Sequence, residues 1–293
     1  MPATEPRDLN STDKVRANHI VGRVLRLDAK PAAEQLVDVL ENFAGRHRNL
    51  LSIFEMRADE MERAFEPHAE LNKTQRRLIG AYFLNEYSFE ASALFNPSIV
   101  RHPDQSGTTE NSCRFILSLR AVGEGHISSL TFRSGTVAAD GIVDVDPTAR
   151  LASVPKVTSR SSTPNGDVVE VLFPPDEELG ERVIFPITDA QSNGIEDARF
   201  VEFNDHGKTS FYATYTAYSG RAIRSELLET TDFRSFRMTP LGGAATRNKG
   251  MALFPRKIDG RYAMIGRQDN ENLYLIYSDD PYAWDSGHSI LTP

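Results

Sequence analysis

Gly194-Ile195-Glu196-Asp197-Ala198-Arg199 sets two adjacent acids and an arginine between apolar segments. Arg182-Val183-Ile184-Phe185-Pro186 precedes it. Phe200-Val201-Glu202-Phe203, a turn at Asp205-His206-Gly207 and an aromatic run over 211–218 follow. The pattern reads as strand, charged strand start, hairpin, strand. Such charges are costly to bury unpaired. Two readings therefore stand side by side: a solvated edge closed by a salt bridge, or a carboxylate pointing into a pocket as an acid. Successive side chains on a strand face opposite ways, so the spacing predicts that only one of Glu196 and Asp197 enters a given site. The other packs or pairs behind it.

The elements that must position this cluster change character along the chain. Residues 1–19 are polar and read as frayed, and 21–27 as a short strand before Lys30-Pro31. Leu36, Leu40 and Phe43 fall at helical spacing, as do Leu50, Phe54, Met61 and Phe65. Asn72 with Gln75 three residues on is a capping box opening a third helix through Leu78, Ala81 and Tyr82. Residues 1–90 are thus a helical N-terminal extension, able to pack on the next domain or to pair with a second copy.

From residue 91 the texture is β. Residues 114–120 alternate, with Phe115, Leu117 and Leu119 on one face. Gly123-Glu124-Gly125-His126 is a turn, and 127–132 the returning strand; His126 reads as a turn or supporting histidine, its role open. Residues 146–180 are rich in Ser, Thr and Pro and read as a long surface connection holding one strand at 168–173. Asn248-Lys249-Gly250 leads into a hairpin around Asp259-Gly260, a pair suited to a type I′ turn, whose second strand ends at Arg267. Taken alone, Lys249 and Arg267 read as surface cations. Antiparallel units repeating in this way suggest a propeller or another all-β array.

Composition excludes several classes. A net charge of -8 argues against a nucleic-acid partner. The one cysteine, Cys113, allows no internal disulfide, fits the cytoplasm, and reads as a buried thiol beside Phe115-Ile116-Leu117. No apolar run suits a membrane span, and no zinc spacing or glycine-rich nucleotide motif appears. No metal or organic cofactor is expected.

Four stretches in order resemble glycoside hydrolase family 130, the β-mannoside phosphorylases and related mannosidases. They are Asn96-Pro97-Ser98, Leu119-Arg120-Ala121-Val122-Gly123, the 194–199 cluster, and Asn248 to Pro255 running on to Arg267. The resemblance covers about residues 91–293, and the N-terminal helices resemble the extension of a longer bacterial branch. It implies a five-bladed β-propeller with a funnel-shaped site at its axis. By resemblance, Asp197 is the catalytic acid, protonating the leaving oxygen through a sugar hydroxyl. Lys249 and Arg267 hold inorganic phosphate, the co-substrate. Asn96, Arg120, Glu196 and Arg199 bind the β-mannoside. These roles imply an inverting phosphorylase, a glycosyl transfer to phosphate that releases mannose 1-phosphate. The alternatives are an inverting β-mannosidase with water as nucleophile, or an inactive carbohydrate-binding fragment. Inversion needs an acid on one side and a nucleophile on the other; phosphate in that place needs cations to hold it in line rather than a base. This chain departs from the family pattern in having Ala198 for the usual Pro. It also stops after Ile290-Leu291-Thr292-Pro293, where the resemblance puts the end of a third blade, so the later blades are expected to be missing.

Overall fold

The computed structural model describes residues 11–65 and 71–293; the first ten residues of the stretch expected to be frayed lie outside the described residues. The chain divides into two compact units, Met1–Tyr87 and Ser88–Pro293. The first holds four helices: α1 (Ser11–Leu25), α2 (Ala29–Phe43), α3 (Leu50–Phe65) and α4 (Lys73–Tyr82). The expected strand at 21–27 is instead the end of α1 and the turn after it. Val21, Val24 and Leu27 recur every three residues, and all three pack on the cluster of Leu36, Phe54, Met61, Leu78 and Ile79. That helical spacing overrides the β preference of valine. The capping box forms as expected: Asn72 Oδ1 accepts from Gln75 N at 2.9 Å, and Asn72 N donates to Gln75 Oε1 at 3.2 Å. Among the described residues no helix is long and apolar enough to cross a membrane.

The second unit is mainly antiparallel β. Its strands are β1 (Ala93–Arg101), β2 (Cys113–Val122), β3 (Ser128–Val137), β4 (Val143–Val145) and β5 (Lys156–Thr163). They continue with β6 (Gly166–Leu172), β7 (Val183–Ile184), β8 (Gly194–Asp205), β9 (Lys208–Tyr218) and β10 (Ile223–Thr230). The last are β11 (Ser235–Pro240), β12 (Ala252–Leu253), β13 (Tyr262–Gly266), β14 (Leu273–Ser278) and β15 (Gly287–Leu291). The large sheet runs β1-β2-β3-β8-β9-β10-β11-β6-β5, with β4 and β7 also on β3; a second sheet runs β12-β13-β14-β15.

Two apolar clusters hold these ladders. Phe132, Phe200, Phe233 and Phe236 centre the first, with Phe132 stacked on Phe236 at 5.8 Å and edge-on to Phe233 at 5.9 Å. The second gathers Phe203, Leu227, Met251, Leu253, Met264 and Ile276 around a fully buried Trp284. That indole N–H donates to Pro281 O at 2.9 Å, which lets the ring be buried without an unmet donor. The expected surface connection at 146–180 is corrected: it contains the β5–β6 hairpin. All eight residues of β5 are exposed, so its sequence carries no apolar alternation; the ladder to β6 forms the strand. Cys113 is half-buried rather than buried. Asp259 and Gly260 both take positive φ, +50° and +78°, as a type I′ turn requires.

β3 and β8 meet in parallel at a single pair, Ser128 and Gly194. Gly194 has φ +155°, and a Cβ there would lie 2.8 Å from Ser128 Cβ. Gly194→Ala is therefore expected to destabilise the protein by about 1–3 kcal/mol, read as a lower melting temperature in a thermal melt.

Candidate active site

The alternation that should part Glu196 from Asp197 is broken by a bulge. Glu196 pairs with Thr216 and Arg199 with Thr214, so β8 spends three steps where β9 spends two. Asp197 absorbs the extra residue at φ +53°, a conformation that Asp tolerates better than most residues. The consequence is visible on both faces. Ile195, Ala198 and Phe200 all enter the aromatic core. Glu196 and Asp197 both reach Arg120, while Asp197 and Arg199 line one pocket. The expectation that the two acids could not serve one site is thus overturned, because it assumed an unbroken strand.

A second bulge meets the first. On β1 the register slips between Phe95 and Ser98, and Asn96 takes φ +50°. Its Nδ2 donates to Asp197 Oδ1 at 2.6 Å. Ser98 Oγ accepts from Phe200 N at 2.8 Å and pins β1 to β8 beside this contact. Arg120, on β2, is held from four sides. Nη2 donates to Glu196 Oε1 at 2.6 Å, Nη1 to Asp197 Oδ1 at 3.2 Å, and Nε to Ser128 Oγ at 3.0 Å. Its guanidinium lies over the Phe95 ring, 5.1 Å from the centroid. The salt bridge of this cluster is therefore made by Arg120, more than seventy residues away in sequence, and not by neighbouring Arg199. Glu196 is buried, at 9% exposure, whereas the Asp197 side chain keeps 33%.

Asp197 also borders a cavity of about 150 Å³ lined by Arg199, Thr214, Tyr215, Thr216, Ser225, Lys249, Gly250, Met251 and Arg267. Three cations share this lining with one carboxylate. Among the described residues none of the three cations has an ion-pair partner. The loop carrying Lys249 is pinned at both ends: Ser225 Oγ donates to Asn248 O at 2.7 Å, and Thr214 Oγ1 to Met251 O at 2.6 Å. Asn248 Nδ2 donates to Arg267 O at 3.2 Å and ties the loop to the end of β13. Gly250, at φ +86°, lets the Arg267 Nε approach to 3.0 Å of where a Cβ would stand.

Behind the bulge lies a buried polar group. Tyr215 spans the register gap on β9, and its hydroxyl donates to Glu226 Oε2. Gln191 Nε2 donates to both, at 3.0 and 2.8 Å, and Arg224 Nε to Glu226 Oε1 at 2.7 Å. Burial, then the Glu226 carboxylate, push the Tyr215 hydroxyl well above the ordinary phenol range. This network keeps β9 fixed opposite Asp197.

The structure thus brings Asn96, Arg120 and Glu196 to one side of Asp197, and Arg199, Lys249 and Arg267 to the cavity on which it opens. His126 sits exposed in the 3₁₀ turn between β2 and β3, at φ +60°, outside this group. Ser128, Phe95, Thr214, Ser225 and Glu226 were not foreseen. Their roles depend on strand neighbours, and the only local signal was a polar Asn-Pro step inside an apolar strand.

A carboxylate held by a cation and an amide, opening on a pocket of unpaired cations, is a site of the acid-and-anion kind on a mainly antiparallel fold. Residues 175–292 match the family model of glycoside hydrolase family 130, described as β-1,4-mannooligosaccharide phosphorylase. Through this segment the chain is similar to that family. Glu196, Asp197, Arg199, Lys249 and Arg267 lie within it; Asn96 and Arg120 lie before it. A β-1,2-mannobiose phosphorylase of Listeria innocua serovar 6a is 31% identical over 103 residues, 33% of this chain and 27% of that protein. A proposed glycosidase from Bacteroides thetaiotaomicron VPI-5482 has 15% identity and a TM-score of 0.42, over 70% of this chain and 55% of its own. The Listeria innocua β-1,2-mannobiose phosphorylase, solved with β-1,2-mannobiose, gives 15% and 0.38, over 67% and 58%. The match therefore spans about a quarter of the curated relative's length and little more than half of these structures.

Proposed function

We propose that this protein is an inverting glycoside phosphorylase that cleaves β-mannosides with inorganic phosphate and releases mannose 1-phosphate. One observation carries the reading: Asp197 is the single carboxylate of a cavity whose other charged groups, Arg199, Lys249 and Arg267, are unpaired cations. Cations gathered without a counter-ion repel one another, and a phosphate dianion relieves them. In this reading Lys249 and Arg267 hold phosphate in line with the anomeric carbon. A phosphate oxygen bonds to that carbon as the bond to the leaving oxygen breaks. The Asp197 proton reaches the leaving oxygen through a sugar hydroxyl. Asn96, Arg120, Glu196 and Arg199 bind the sugar. The antiparallel array is read as part of a five-bladed propeller, with residues 91–293 supplying about three blades around the site. Phosphate is a co-substrate, no organic cofactor is required, and the cytoplasm is the expected compartment.

Hydrolysis is the second reading. Activating water calls for a second carboxylate across from the acid, and the cavity lining supplies only Asp197. The purified protein, incubated with β-linked mannobioses with and without phosphate, is expected to form mannose 1-phosphate only when phosphate is present. Free mannose at equal rates in both conditions would establish the hydrolase instead.

A further inference from the structure

We infer that Glu196, besides the sugar contact proposed above, is a positioning residue that keeps one oxygen of Asp197 free to carry the catalytic proton. The inference rests on the reading of Asp197 as the acid. Asp197 Oδ1 already accepts from Asn96 Nδ2 at 2.6 Å and from Arg120 Nη1 at 3.2 Å, which fills its lone-pair directions. Among the described residues Oδ2 has no donor. A proton held by this carboxyl therefore sits on Oδ2.

What keeps Oδ2 open is the way Arg120 is divided. A guanidinium beside a carboxylate favours the two-point, fork-to-fork pairing. Here the fork is split between two acids: Nη2 goes to Glu196 at 2.6 Å and only Nη1 reaches Asp197. The shorter contact is to the more buried acid. Ser128 on Nε and Phe95 under the plane fix the hinge of the fork, but neither draws Nη2 away from Asp197. Glu196 alone does that. Remove its charge and Arg120 is free to close on both oxygens of Asp197, placing N–H donors where the proton must be. The bulge is what makes the device possible, since regular alternation would put the two acids on opposite faces.

The test compares two leaving groups in the wild type and in Glu196→Gln, with phosphate present. A β-mannobiose needs the acid; 4-nitrophenyl β-mannoside departs with little proton assistance. Glu196→Gln is expected to lose about 10²-fold or more in kcat on the mannobiose, the scale of general acid catalysis, and less than about 10-fold on the aryl mannoside. A crystal structure of the variant is expected to show both Arg120 Nη atoms on Asp197. Equal losses on the two substrates, with Arg120 still in one-point contact, would overturn the inference while leaving the acid assignment standing. A wild type inactive on both substrates would instead overturn the reading beneath it. Should Glu196→Gln not fold, Glu196→Asp keeps the charge one methylene further back. It is expected to show the same leaving-group bias to a smaller degree, and the absence of any bias there overturns the inference equally.

Discussion

Replacing Asp197 by Asn is expected to lower kcat on β-mannosides by about 10²–10⁴-fold, the usual contribution of a positioned acid, with the melting curve almost unmoved. The two halves of this expectation have separate causes. The amide has the shape of the carboxyl but no proton to give, so assistance to the leaving oxygen is lost outright. Stability is spared because the side chain contributes little to the fold. It is one-third exposed, and Arg120 keeps its closer partner Glu196 at 2.6 Å, so no buried charge is stranded. Turnover assays and a thermal melt on the same preparation check both halves. Activity within a few-fold of wild type would remove Asp197 from the acid role. A large fall in melting temperature would show instead that the residue holds β1 to β8.

Lys249→Met is expected to have the second largest effect, and its sign depends on phosphate. Losing one charge-assisted hydrogen bond costs about 1.5–3 kcal/mol, or about 10–150-fold in affinity for the anion. The same change takes one of three like charges out of a small cavity in which none has a partner, so without phosphate the variant should be no less stable than wild type. With wild type, phosphate at 100 times its Kd should add about 2.7 kcal/mol of stability by mass action. Most of that gain should vanish in Lys249→Met, and the same holds for Arg267→Met. Melting curves across a phosphate titration, at constant ionic strength so that screening does not mimic binding, read this directly. A wild type that phosphate does not stabilise would count against the anion site itself.

These expectations rest on a site of which the sequence showed the parts but not the assembly. The helices over Leu36, Phe54 and Leu78, the capping box at Asn72 and the turn at Asp259-Gly260 were legible, because each is written in spacings of a few residues or in one residue's tolerance of positive φ. The resemblance named Asp197, Lys249 and Arg267 from short motifs. The first helix was missed because valines favour strands unless a partner face at helical spacing decides otherwise. Strand β5 was missed because an exposed edge strand owes its form to the ladder, and its side chains carry no pattern.

The sequence by itself determined which residue types could do chemistry, that the chain turns from helical to antiparallel β texture near residue 91, and that a carboxylate and two cations stand at spacings resembling those of the family. Only the tertiary structure decided which of them meet. A bulge is a property of two strands in register, so neither the turn of Asp197 nor that of Asn96 could be read from β8 or β1 alone. Arg120, and not the neighbouring Arg199, partners the acids because pairing of β2 with β1 and β3 carries it there, with Ser128 to hold its Nε. The cavity joining Asp197 to Lys249 and Arg267 exists because Thr214 and Ser225, on β9 and β10, hold a loop that lies 37 and 23 residues further along, respectively. Local rules act over a few residues, whereas charges placed across sheets depend on contacts that form only once the ladders are paired.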